Sequence, residues 1–103
     1  MIAVDKRTGE LLGEDDALIG TRLFHGMWSS PSAGQVNGQW QVYFGGGDGV
    51  PYAFDPKPVK EGDVNVLKRI WTFDCNPPEH KFTDGKPINY PAADRPSEIN
   101  ATP

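Results

Sequence analysis

Apolar residues along this chain fall in short runs that alternate with polar residues and are separated by turns. The clearest run, Trp40 to Phe44, is rich in the aromatic and β-branched residues that favour strands. The Asn37-Gly38 pair before it is a strong hairpin signal, and Asp48-Gly49 after it is a second one. A third strand is expected from Val50 to Phe54. Pro51 has no N–H to donate, so it should lie at that strand's start or face a non-bonded side.

The N-terminal region predicts a similar arrangement. Ile2 to Val4 is short and apolar, and Asp5 to Gly9 supplies a tight turn into a strand at Glu10 to Leu12. Asp5 can bond the backbone ahead of it, and Gly9 can take a positive φ. Glu14 to Leu18 is the only helix-like stretch, and it has no apolar stripe.

The C-terminal half is expected to hold one more strand between two loops. Pro56 to Asn65 and Asn76 to Pro96 are polar or rich in proline, and both are interpreted as loops. Between them, Val66 to Asp74 predicts a single strand. Period two places four of its residues on one face: Leu67, Arg69, Trp71 and Phe73. Short strands separated by turns predict an all-β sandwich, barrel or propeller.

An internal repeat favours the propeller. Ile2 to Asp5 and Tyr52 to Asp55 share the pattern apolar-Ala-apolar-Asp, and a turn and a strand follow each of them. Trp28 to Pro31 and Asn100 to Pro103 form a second pair, in which a small polar residue precedes proline. A period of this order is typical of four-stranded propeller blades.

Three segments, Ala3 to Glu10, Val42 to Gly49 and Ala53 to Asp55, resemble the pyrroloquinoline-quinone repeat of quinoprotein alcohol dehydrogenase-like β-propellers. A blade of that family runs through a small-Ser-Pro segment, an Asn/Asp-Gly turn, a Val-Tyr-Val-Gly strand, an Asp-Gly turn, a Leu-Tyr-Ala-Leu-Asp strand and a Thr-Gly turn. It then closes with a strand ending in Trp. Trp28 to Asp55 follows this order almost throughout, although Pro51 replaces the usual apolar residue after Asp-Gly-Val. Trp71 stands where the family's docking tryptophan would be.

The resemblance implies an all-β fold made of antiparallel four-stranded blades, incomplete at about two blades. Residues 1–24 would end one blade, 25–75 would form the next, and 76–103 would supply a long loop and the start of a third. The chain is therefore expected to be part of a longer protein and, on its own, to be marginally stable or self-associating, because each blade is buried by its neighbours. Gly13 departs from the pattern, since a docking tryptophan would stand there.

Composition limits the function classes. The 103 residues carry a net charge of −4 with acidic and basic residues interspersed, so no basic stripe is present to bind nucleic acid. The apolar runs are too short to span a membrane. Met1 to Arg7 lacks the pattern of a secretory signal. A periplasmic or extracellular location is implied only by the resemblance.

Most of the candidate residues have structural roles in this interpretation. Trp71 is expected to pack between blades, and six turn residues shape the hairpins: Asp5, Gly9, Gly38, Asp48, Gly49 and Asp55. His25 and Trp28 are weak candidates for contacting a planar or polar ligand. Asp74, Glu79 and His80 are weak candidates for holding a metal, although they match no known zinc or calcium spacing.

Two functions compete at this point. The first is a non-catalytic propeller that serves as a binding or assembly scaffold in a larger secreted or periplasmic protein. Its partners would be neighbouring blades together with a protein or a small molecule. The alternative is part of a quinoprotein dehydrogenase that oxidises alcohols or sugars with pyrroloquinoline quinone and Ca²⁺. No catalytic residue of that family can be assigned here, so both cofactors are expected only in the parent protein.

Overall fold

A computed structural model describes residues 1–23, 26–88 and 98–103 of the chain. Short strands dominate this part, with one 3₁₀ turn at Ile19–Arg22 and one helix, α1, at Pro78–Lys81. The strands in chain order are β1 Ile2–Val4, β2 Leu11–Asp15, β3 Ser32–Val36, β4 Gln39–Gly45, β5 Pro51–Phe54, β6 Val59–Glu61, β7 Val64–Leu67, β8 Arg69–Thr72, β9 Phe82–Thr83 and β10 Lys86–Pro87.

The meander sheet consists of β3, β4, β5 and β8 in that spatial order, and every neighbouring pair is antiparallel. The β3–β4 turn is formed by Asn37 and Gly38, which both have positive φ (50° and 80°). Strand β4, one of the two inner strands, carries the predicted aromatic run. The next strand begins at Pro51, at the position where a missing N–H costs least.

The mixed sheet has the order β1-β2-β7-β6. Its β1–β2 and β6–β7 pairs are antiparallel, whereas β2 and β7 run parallel at Glu14–Val66 and Asp15–Leu67. The prediction of a loop from Pro56 to Asn65 was wrong, because this stretch forms β6 and the start of β7. Gly62 makes the turn between them with a positive φ of 61°.

The single strand predicted from Val66 to Asp74 was also wrong, because the chain leaves one sheet and enters the other at Lys68. Leu67 ends β7 in the mixed sheet and is buried, whereas Arg69 begins β8 in the meander sheet. A register shift in β8 places Trp71 opposite Ala53 but Arg69 opposite Phe54. The shared face expected for Leu67, Arg69 and Trp71 is therefore not formed.

Two other local predictions need correction. Glu14 and Asp15 belong to β2, and the helical turn begins only at Ile19. The expected long loop after Asn76 contains α1 and the β9–β10 hairpin, while Asn89 to Ser97 lie outside the described residues. Within the described ranges no helix is long and apolar enough to cross a membrane.

The core lies between the two sheets. Its members are large apolar side chains from the two sheets, from the β4–β5 loop and from the 3₁₀ turn: Ile19, Phe44, Val50, Tyr52, Phe54 and Leu67. Ala3 of β1 and Met1, which precedes that strand, pack against this cluster. Each sheet thus buries one face against the other, and both sheets are open in the described part of the chain.

Candidate functional site

Asp48, in the turn between β4 and β5, has a fully buried carboxylate. Its Oδ2 atom accepts hydrogen bonds from the Tyr52 hydroxyl at 2.6 Å and from Arg22 Nε at 2.7 Å. Its Oδ1 atom accepts the Val50 backbone N–H at 3.2 Å. A buried charge needs such partners to offset its lost hydration. Asp48 is therefore a structural centre that joins the turn, β5 and the 3₁₀ turn.

The segment after β8 is tied to the same turn. Asn76 is buried, and its side-chain amide donates to the Asp48 backbone carbonyl at 2.8 Å and to Asp74 Oδ1 at 2.9 Å. The backbone N–H of Cys75 donates to the Gly49 carbonyl at 3.0 Å, while the Cys75 side chain is exposed. These contacts fix where the chain leaves the meander sheet.

Burial of Tyr52 raises its pKa above the ordinary value for tyrosine, and the hydrogen bond to Asp48 and the charge of that carboxylate act in the same direction. A phenolate facing Asp48 would place two negative charges together. The Tyr52 hydroxyl is therefore held in its protonated form and acts as a hydrogen-bond donor.

The outer face of the meander sheet is defined here by Gln41, Tyr43, Trp71 and Phe73. Trp71 Nε1 donates to Gln41 Oε1 at 3.2 Å, and the Tyr43 and Trp71 ring centroids are 6.1 Å apart at a tilt of 37°. Gly34 makes room for this arrangement, because a Cβ there would lie 3.3 Å from Tyr43 Cε2. Trp71 is nevertheless 42% exposed and Phe73 is 65% exposed. The face is aromatic, ordered and open to solvent.

The C-terminal segment 98–103 contacts the end of strand β4. The Ile99 backbone N–H donates to the Gly46 carbonyl at 3.3 Å, and the Ile99 side chain lies against Gly45. Ser29 fixes the same glycine from the other direction: its hydroxyl donates to the Gly45 carbonyl at 2.9 Å and accepts the Gly45 N–H at 3.1 Å. Ser29, from the first segment of the second sequence repeat, and Ile99, the residue just before its second segment, therefore both contact Gly45.

The mixed sheet also exposes apolar side chains. Ala3 packs against the core, so alternation places its neighbours Ile2 and Val4 on the opposite face. Both are at least half exposed, and Leu12 and Val64 on the adjoining strands are exposed as well. Each sheet thus presents an apolar outer face in addition to the face that it buries.

The two candidates for ligand contact are not brought together in the described residues. His25 lies outside them. Trp28 is exposed in the segment that leads into β3. Trp28 would be buried only if another part of the protein packed against its exposed ring.

The three metal candidates do not form a site. Asp74 accepts both the backbone and the side-chain N–H of Asn76 and pairs with Lys81 Nζ at 3.2 Å. Burial opposes ionisation of Asp74, but these hydrogen bonds outweigh it and lower its pKa. Glu79 and His80 lie on α1. In residues 1–23, 26–88 and 98–103 no three His, Cys, Asp or Glu side chains are grouped to hold a metal, so these residues do not fit a Ca²⁺ site.

The turn residues have the geometry that their types allow. The Asp5 carboxylate accepts the backbone N–H groups of Arg7 and Thr8, and Gly9 closes that turn at a φ of 75°. Asp55 accepts the Lys57 N–H at 2.8 Å after β5. Gly49 takes a φ of 75° in the turn above Asp48.

Sequence reasoning missed the residues that complete both clusters. Arg22 and Asn76 reach Asp48 from 26 and 28 positions away, and Gln41 reaches Trp71 across 30 positions. The sequence around each residue does not indicate a hydrogen-bond partner that lies so far away along the chain. The one usable signal was an aspartate beside glycines in an apolar region, because a buried carboxylate requires a cation or several donors.

Comparisons of the chain with protein-family models, curated proteins and solved structures found no match.

Proposed function

We propose that this chain is a segment of a β-propeller of the pyrroloquinoline-quinone-repeat type and acts as a binding and assembly scaffold in a larger secreted or periplasmic protein. The observation that carries this proposal is the outer face of the meander sheet. There Trp71 is held by Gln41 and Tyr43 and still exposes its ring.

The strand order supports a blade. A propeller blade is a sheet of four antiparallel strands, and β3, β4, β5 and β8 form such a sheet in chain order. The β1–β2 hairpin precedes it and packs against its inner face, as the last two strands of a preceding blade would. The β6–β7 hairpin is an insertion between the third and fourth strands, and it extends the neighbouring sheet.

The exposed apolar faces support an assembly role. A blade has two apolar faces, and its stability depends on neighbours that cover them. Here the inner face of the meander sheet is covered by the mixed sheet, while Trp71 and Phe73 remain exposed on its other side. Ordered aromatic residues on an open face are typical of a surface that binds another protein element.

Whether the outer face of the meander sheet mediates association can be tested by sedimentation velocity on the whole chain over a range of concentrations. We expect reversible self-association, because two copies can cover each other's apolar faces. Trp71→Ser should weaken it by at least about tenfold, which corresponds to about 1.4 kcal/mol. Trp40→Ser is the matched control, since Trp40 is similarly exposed but points to the other side of β4.

A chain that stays monomeric at high concentration and unfolds cooperatively well above room temperature would contradict the scaffold proposal. Equal effects of the two tryptophan variants would also contradict it. The dehydrogenase alternative has its own test: addition of the quinone and Ca²⁺ to the parent protein should give a bound chromophore and dye-linked alcohol or sugar oxidation. No binding at saturating quinone would remove that alternative.

A further inference from the structure

A polar pocket of about 210 Å³ opens on the inner side of the meander sheet, away from Trp71. Buried Val50 and Tyr52 form its floor, and Arg22, Arg69, Thr72 and Asp74 contribute its polar walls. The volume equals about seven water molecules at about 30 Å³ each. It lies below the roughly 300 Å³ from which drug-sized ligands are bound, so the pocket suits a small ligand.

Arg69 reaches this pocket because of the bulge in β8. Regular alternation would place Arg69 on the same face as Trp71, two residues later. The register shift instead sets Arg69 opposite Phe54, whose side chain belongs to the core face. Bulges that redirect one side chain are common beside functional sites.

One guanidinium on the pocket wall, that of Arg69, forms no ion pair among the described residues. Arg22 is paired with buried Asp48, and Asp74 is paired with Lys81. Lys68 pairs with Asp16 beside Arg69 at 2.9 Å and also with Glu61 at 2.8 Å. Arg69 is the remaining cation on the wall, and a guanidinium matches a carboxylate through two parallel hydrogen bonds. The Asp74 carboxylate accepts hydrogen bonds, and the Thr72 hydroxyl can donate or accept them.

From this arrangement we infer that the pocket binds a small hydroxy acid. The carboxylate of the ligand faces Arg69, with Arg22 beside it, and the ligand hydroxyl donates to Asp74. Lys81 already supplies a cation to Asp74, so a neutral hydroxyl on the ligand suffices there. Among the described lining residues, Val50, Ala17 and the ring of Tyr52 provide the apolar surface, which fits a short carbon chain.

Lactate is the probe for a titration followed by backbone amide chemical shifts, and propionate is its analogue without the hydroxyl. We expect saturable lactate shifts at residues 17, 69 and 72, and at least about tenfold weaker binding of propionate. Arg69→Gln should weaken lactate binding by at least about tenfold. Arg7→Gln, which removes an exposed arginine from the β1–β2 turn, should leave it unchanged.

Two further variants keep the test decisive. Thr72→Val preserves the shape of the side chain and should weaken lactate several-fold while amide shifts far from the pocket keep their positions. Trp71→Ser lies on the other face and should not alter lactate binding, so failure of the scaffold proposal and failure of this one are distinguishable. Absence of saturable shifts at tens of millimolar lactate, equal binding of propionate, or equal loss in Arg7→Gln and Arg69→Gln would overturn the inference.

Discussion

The Tyr52 hydroxyl donates a hydrogen bond to Asp48 Oδ2 over 2.6 Å, and both side chains are buried. The same oxygen accepts Arg22 Nε, so one buried carboxylate joins β5, the β4–β5 turn and the 3₁₀ turn. These three elements form one end of the core. The integrity of that end therefore depends on a polar cluster as well as on apolar packing.

Tyr52→Phe should lower the free energy of unfolding by about 1.5–3 kcal/mol, because it removes a donor to a buried charge and keeps the ring. The measurement is urea unfolding followed by tryptophan fluorescence. Tyr43→Phe is the matched control on the outer face of the meander sheet, and it should change stability by less than about 0.5 kcal/mol. Equal effects of the two variants would show that the Asp48 cluster is not a structural centre.

The raised pKa of Tyr52 predicts a loss of stability in alkali. The unfolded chain releases the phenolic proton near pH 10, whereas the folded chain retains it to a higher pH. Protonation therefore stabilises the folded state fully below about pH 10, and this contribution is lost as pH rises further. Unfolding free energies of the wild type and Tyr52→Phe should converge above about pH 10. A constant difference across that range would contradict the assignment.

The hairpins around β4 could be predicted from sequence because their determinants are local. Asn37 and Gly38 supply a turn that needs two positive φ values, and the aromatic run after them fits a strand. Together these features predicted that the fold would be mostly β.

The exchange between sheets at Lys68 could not be predicted, because period two continues across it without interruption. What redirects the chain is long-range: the Asp16 carboxylate accepts the Arg69 N–H at 2.9 Å, and the Asp55 N–H donates to the Lys68 carbonyl. The pocket depends on the same event, since the bulge that follows turns Arg69 inward. A local pattern contains no information on either contact.

The Asp16 contact predicts acid sensitivity at this crossing. Burial opposes ionisation of Asp16, but the hydrogen bonds from Lys68 and from the Arg69 N–H outweigh it and lower its pKa. The ionised Asp16 carboxylate therefore stabilises the folded state above about pH 4, and this stabilisation is lost as pH falls further. Asp16→Ala should cost about 1 kcal/mol at neutral pH through the lost acceptor for the Arg69 N–H.

The difference between the wild type and Asp16→Ala should shrink below about pH 4, measured by urea unfolding at several pH values. Glu10→Ala removes an exposed carboxylate just before β2 and serves as the control, with an expected change below about 0.5 kcal/mol. An Asp16→Ala difference that grows in acid would contradict the sign of this argument.

Gly45→Ala should separate the C-terminal segment from the meander sheet. A Cβ at this position would lie 2.5 Å from Ile99 Cγ2 and 3.1 Å from Ser29 Oγ, so one of the two contacts must shift. Overpacking of this kind costs about 1–3 kcal/mol. Gly20→Ala is the matched control, because a Cβ at Gly20 would meet nothing within 4 Å. Hydrogen exchange of the Ile99 amide, measured with the unfolding free energy, should be accelerated only in Gly45→Ala.

A double variant tests whether Ile99 is the obstacle. The loss of unfolding free energy in Gly45→Ala combined with Ile99→Ala should then be smaller than the sum of the losses in the two single variants, and strict additivity would refute the contact.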